Sequence, residues 1–354
     1  NPATGEFNFD DLDIQNDLAN PDSPKTVFGY LAAGLRRRRD ADLPVFTVQS
    51  CDNIQHNGDV TRKMLLAFTK KQDPELAEWI EANVCFPNAM VDRITPVTTS
   101  LDIEFLQTEM GIDCAWPVTC EPFIQWVVED RFSNGRPAWE NVGAQFVSDV
   151  TPYEKMKIRL LNASHMVLGI LGAIHGYVSI DDVVSDPVFE KYLRGFLDLE
   201  ATPILDPVQG MDLEVYKDEL IERFANKNMK DSVSRICSES SAKIPNFLID
   251  TINDNLDRGG SIEYATLVIA AWCYYSDKGR NRHGSEIEII DEIKQPLRDA
   301  ARGTEEDPLS FLRLEEIFGD LVKSKRFTSL YTDMVLTIYA DPNIINLMRS
   351  GTIG

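Results

Sequence analysis

The sequence predicts an α/β chain, with a short αβ segment of nucleotide-binding type at its start and a predominantly α-helical remainder. Three observations carry this. Near the N-terminus an amphipathic helix runs straight into an apolar strand; beyond Asn53 the pattern becomes mainly helical; and from Thr151 onward helices dominate. The 354 residues, 43% hydrophobic and 26% charged, have a globular composition and enough length for two packed domains.

Residues 23–39 read as the first helix, with Ser23 as cap, Pro24 at the first helical position and Val27, Leu31 and Leu35 on one stripe. The basic run Arg36–Arg39 falls at its end, where cations complement the carbonyl pole of the helix dipole. Pro44-Val45-Phe46-Thr47-Val48 follows as a mostly apolar strand. A strand buried on both faces that empties into a polar loop, here Ser50-Cys51-Asp52-Asn53, is the pattern of a parallel sheet at its carboxyl edge, where ligands bind. That loop is a candidate site. Asp73 and Pro74 open a further helix, and Trp116-Pro117 with Phe123 to Val128 form the main strand-like interruption. The clearest helix begins Thr151-Pro152-Tyr153-Glu154, which reads as a capping box, and ends at Gly176.

A complete dinucleotide-binding domain takes on the order of 150 residues and opens on a glycine-rich turn. No G-x-G-x-x-G is present: Gly169 and Gly172 lie inside an apolar helix, and Gly259-Gly260 follows one. The expected organisation is therefore 1–50 as the C-terminal remainder of a Rossmann-type domain, 51–150 as a mixed interdomain segment, and 151–354 as a helical domain. Most of the Rossmann domain is expected upstream of Asn1. A formal charge of -22 argues against a nucleic-acid partner. The longest apolar stretch, Met166 to Ile174, is well short of the roughly 20 residues that span a bilayer, so no membrane partner is expected. Six cysteines without paired close spacing read as reduced thiols, which points to the cytoplasm. No metal site is expected, since Cys51 and His56 lack a second ligand pair and His175 and His283 stand in unrelated contexts.

On an ideal helix Glu154, Lys157, Asn162 and His165 fall within an arc of roughly 140°. The second half of that helix is apolar nearly all round, so it is expected to be buried, with its polar groups facing partners or a wet cleft. A lysine acts as a general base when burial or a neighbouring cation lowers its pKa. Spacing alone leaves two readings open: a catalytic Lys157, or Lys157 and Arg159 as solvated residues with Glu154 closing the capping box.

Lys157-Ile158-Arg159-Leu160-Leu161-Asn162-Ala163-Ser164-His165 resembles the K-x4-N-x2-H signature of the long-chain mannitol dehydrogenase family. Ser50 to Asn53 with Asn57-Gly58, Phe86 to Pro96, and Ser238 to Lys243 resemble further segments of that family in the expected order. The resemblance implies a metal-independent polyol dehydrogenase that uses NAD, with NADP as the other option. Lys157 would be the general base, and Asn53 and Asn162 would flank the developing alkoxide, with Asn53 also at the cofactor. His165, Asp92, Arg235 and Lys243 would hold the polyol hydroxyls, and Glu154 would pass the proton to solvent. The implied substrate is a small polyol or ketose, mannitol with fructose first, and the implied state is a monomer. A hexuronate reductase, with Arg235 or Lys243 clamping a carboxylate, and a non-catalytic interaction protein are the rival readings.

Overall fold

The computed structural model describes residues 6–229 and 231–350. The chain divides into two compact units, one comprising Asn1–Arg93 with Ile124–Glu154, the other Ile94–Phe123 with Lys155–Gly354.

In the first unit, helices α1 (Leu12–Ala19), α2 (Val27–Asp40), α3 (Asn57–Gln72) and α4 (Pro74–Asn83) enclose a core of Ile14, Ala32, Leu35, Val48, Leu65, Phe68, Leu76 and Ile80. Asp73 caps α4 as expected, its carboxylate accepting the Leu76 N–H at 3.0 Å. The first predicted helix starts later than Ser23 and Pro24 suggested. The buried Asp17 carboxylate accepts the N–H groups of Lys25 and Thr26 at 2.8 and 2.7 Å, which holds these residues outside the helix. Thr26 becomes the cap instead, accepting from Gly29 N–H. The basic residues Arg37, Arg38 and Arg39 do occupy the last turn.

Residues 44–48 are extended but form no strand, which corrects the sequence reading. Their one inter-segment backbone bond among the described residues runs from Val48 N–H to the Cys85 carbonyl at 3.1 Å, whereas Thr47 Oγ1 accepts from Ser133 N–H. Apolar alternation supplies a surface, but a strand needs a neighbour on its backbone groups. The sheet forms elsewhere, in order β1 (Ala89–Asp92), β2 (Gln125–Glu129), β3 (Gln145–Val147). β1 and β2 are antiparallel, with Ala89 opposite Val128 and Asp92 opposite Gln125; β2 and β3 are parallel. Only β2 overlaps a predicted strand, and Trp116 is a solvent-facing residue outside the sheet, 84% exposed.

The second unit is built on two buried helices. Glu263–Lys278 is enclosed from Tyr264 to Asp277 and packs on Lys325–Ala340, on Lys294–Arg302 and on the apolar half of the long helix Thr151–His175. That long helix has the length and apolarity to cross a membrane, but 83% of its apolar window is buried inside the fold. Gly169 and Gly172 serve this packing: a Cβ would meet Ile236 Cγ2 at 2.7 Å and Val183 Cγ2 at 2.6 Å. The helix ends at Gly176 in the left-handed conformation, φ 106°, with its N–H on the Gly172 carbonyl.

At its start the long helix departs from expectation twice. The capping box does not form, because Asp149 Oδ1 accepts the Thr151 N–H at 2.9 Å and the Glu154 carboxylate is committed elsewhere. Further on, Ile158–Asn162 is a π turn, with Ala163 N–H bonded to the Ile158 carbonyl five residues back.

Candidate active site

The polar loop after Val48 is exposed from Cys51 to His56, and Asn53 lies on a bend within it. Its base is fixed by the buried Asn57, whose amide donates to the Asp52 carbonyl at 3.0 Å and the Ala89 carbonyl at 2.8 Å, while Asn57 Oδ1 accepts Ala89 N–H. This is an amide used as a double-ended clamp, joining the Asn53 loop to β1, at whose far end Asp92 is buried. Gly58 permits the close approach, since a Cβ there would sit 2.4 Å from the Pro87 carbonyl oxygen. His56, at a φ of 51°, donates its N–H to Glu154 Oε1 at 2.9 Å. Glu154 Oε2 is buried without a hydrogen-bond partner, and burial pushes the carboxyl pKa up.

The helical unit carries the second group. Lys157 and Arg159 are both 7% exposed, which rules out the solvated reading of this helix face. Arg159 is structural: Nη1 donates to the Asn246 carbonyl, and Nη2 lies 3.4 Å from Asp254. Five α-helical residues would turn Asn162 roughly 140° away from Lys157. The π turn spans this interval, and bonding from i to i+5 brings residues five apart over one another. Lys157 and Asn162 are thereby aligned more closely than ideal geometry allowed.

His165 follows, its ring 4.5 Å from Phe224 and its Nε2 buried without a hydrogen bond. Burial, with Arg235, Arg223, Lys243 and Lys157 nearby, lowers its pKa to about 3, so the imidazole is neutral at ordinary pH. Of the predicted substrate ligands, the structure thus gathers Lys157, His165, Arg235 and Lys243 in one electrostatic neighbourhood, with Asn162 on the same helix. Arg235 is gripped by Asp231, Nε to Oδ1 at 2.7 Å and Nη2 to Oδ2 at 2.6 Å. Lys243 Nζ donates to the Ile236 and Ser238 carbonyls, and burial lowers its pKa. Asn53, Asp92 and Glu154 belong to the first unit.

Sequence reasoning placed Asn57 in a family-like segment without a role, and missed Asp231 and the buried Glu121–Arg223 pair. Asp231 and Arg235 stand four apart with opposite charges, a signal that was available. Glu121 and Arg223 are separated by 102 positions, and no local pattern connects them.

A buried lysine, an amide five residues on and a neutral histidine beyond it, backed by cationic side chains, form an arrangement chemically able to exchange a proton with a hydroxyl group. The chain belongs to the mannitol dehydrogenase family: residues 3–141 match the mannitol dehydrogenase Rossmann domain and residues 149–339 the mannitol dehydrogenase C-terminal domain. It is 43% identical to a mannitol 2-dehydrogenase of Phaeosphaeria nodorum over 93% of its length, covering 58% of that protein. A mannitol 2-dehydrogenase of Aspergillus fumigatus is 42% identical over 96% of the chain, which covers 69% of it. The Pseudomonas fluorescens mannitol 2-dehydrogenase, solved as a ternary complex with NAD and D-mannitol, superposes with a TM-score of 0.83 at 46% identity, over 98% of this chain and 70% of that one. A substrate-free D-sorbitol dehydrogenase gives a TM-score of 0.89 at 36% identity, over 98% and 72%.

Proposed function

We propose that this chain carries the catalytic residues of an NAD-dependent polyol 2-dehydrogenase that oxidises mannitol to fructose. The carrying observation is the Lys157–Asn162–His165 arrangement on a buried helix, with the π turn placed between base and amide.

The residues present suit the nicotinamide-ribose end of the cofactor. An exposed loop bears Asn53, and the buried Glu154 Oε2 is an acceptor with no hydrogen-bond partner. Asn53 would hold that end; the pyrophosphate's glycine-rich turn does not occur in this sequence. When bound, NAD accepts the hydride from the carbinol carbon.

Lys157, buried on this helix, takes the hydroxyl proton. Asn162 donates its amide N–H to the oxygen as negative charge develops, and Asn53 is assigned the matching donation from the family motif. Removal of one such donor costs about 10²–10³ in rate. Neutral His165 orients a neighbouring hydroxyl, with Arg235, Lys243 and Asp92 as further polyol ligands. Glu154, one turn before Lys157 and raised in pKa, passes the proton to solvent. Arg235 has two donors already engaged by Asp231, which weighs against its use as a bidentate clamp for a hexuronate carboxylate.

The test is NAD reduction with mannitol, in parallel with NADH titration, for the native chain and Lys157→Ala. Turnover falling by about 10³-fold or more, with NADH affinity and melting temperature retained, is expected. A variant that turns over at the native rate refutes Lys157 as the base.

A further inference from the structure

We propose that Asp231 is a positioning residue, a single buried carboxylate that fixes two polyol-binding side chains, Arg235 and His165. The inference rests on the polyol-dehydrogenase reading but concerns a residue outside its ligand set. Asp231 is 7% exposed, and its carbonyl accepts Ile180 N–H at 2.9 Å, so its backbone is anchored. Both carboxylate oxygens are used on Arg235, four residues on in the helix Val233–Cys237, in two parallel N–H···O bonds. The guanidinium side chain is itself 47% exposed, so without this anchor nothing comparable would restrain a long, rotamer-rich side chain.

The same Oδ2 faces His165 Nε2 at 3.8 Å, the imidazole nitrogen that is buried without a hydrogen bond. An anion on that side favours the tautomer with its proton on Nε2, leaving Nδ1 as an acceptor. Asp231 thereby sets which hydroxyl hydrogen-bond role His165 can play, as well as where Arg235 points. Phe224 packs against the His165 ring, and the charges that act on it electrostatically are those of Arg235, Arg223, Lys243 and Lys157, none of which can accept that proton.

The chain has only four histidines, so imidazole ¹⁵N spectra at neutral pH resolve His165, assigned by its loss in His165→Gln. The native chain is expected to show a neutral Nε2–H imidazole. In Asp231→Asn that preference shifts toward Nδ1–H while the His175 and His283 signals stay in place. With mannitol, KM rises about tenfold and kcat changes by less than about threefold. Arg235→Met should raise KM as well but keep the Nε2–H form, because Asp231 remains. An unchanged His165 signal in Asp231→Asn overturns the proposal, as does loss of the Nε2–H form in Arg235→Met, which still reads out if Asp231→Asn does not fold. A tautomer shift without any response of native His165 to mannitol would instead sink the polyol reading and leave Asp231's role standing.

Discussion

Replacing Arg223 by methionine is expected to destabilise the helical unit far more than its surface cationic substitutions do. The guanidinium is buried and makes a two-pronged bond to Glu121, Nε at 2.9 Å and Nη2 at 2.8 Å, and it lies 3.9 Å over the Phe123 ring. Glu121 is 1% exposed, and it also accepts Ile94 N–H at 2.5 Å. Methionine would therefore strip the two-pronged guanidinium bond from a buried carboxylate, a defect that costs about 3–5 kcal/mol. For a unit of this size, each kcal/mol is about 2–4 °C, so the melting temperature should fall by about 6–20 °C. Pairing Arg223→Met with Glu121→Gln removes the stranded charge, and the double variant should regain about 2 kcal/mol or more relative to the sum of the singles. Calorimetry or urea titration of the four proteins closes the cycle. A single variant melting within about 2 °C of the native chain, or strict additivity, would refute the account of a paired charge stapling residues 94–123 into the helical unit.

Further perturbations test the pH response and the close contacts. Glu200 is fully buried and accepts from Tyr264 N–H, Ala265 N–H and Ser261 Oγ at 2.7, 2.8 and 2.9 Å, yet desolvation pushes its pKa up to about 7. The folded chain then keeps a proton that the unfolded chain releases near pH 4.5, so stability from this group is present below that pH and is lost as pH rises toward 7. The native protein should lose about 3 kcal/mol more than Glu200→Gln across that window; parallel pH–stability curves would contradict it. Gly58→Ala drives a Cβ into backbone oxygens of Pro87 and Phe86 and should cost about 1–3 kcal/mol with loss of the Asn57–Ala89 clamp. Gly34→Ala, whose Cβ would rest at 3.6 Å from Phe46, should be neutral or stabilising. Equal thermal shifts for the two glycines would show that carbonyl proximity is not what Gly58 provides.

Signals confined to a few neighbouring residues were legible without the fold. Asp73 before Pro74 specified a helix start, Gly176 a helix end, and the apolar run after His165 a buried helix; all three hold, because each depends on backbone donors, a positive φ or an apolar face within a turn or two. The motif around Lys157 likewise pointed to the mannitol dehydrogenase family before any geometry was known. What the sequence could not settle was where equal local options are decided by distant partners. Residues 44–48 have strand-like chemistry but too few ladder neighbours. Glu154 could close its own capping box, yet His56 N–H, 98 positions away, takes its carboxylate. The π turn that aligns Lys157 with Asn162 replaces the regular period on which the face was calculated. Asp231 faces His165, and Glu121 grips Arg223, only once the chain has folded, because a buried charge is stabilised by whichever opposite charge tertiary packing brings within reach, whatever their separation in sequence.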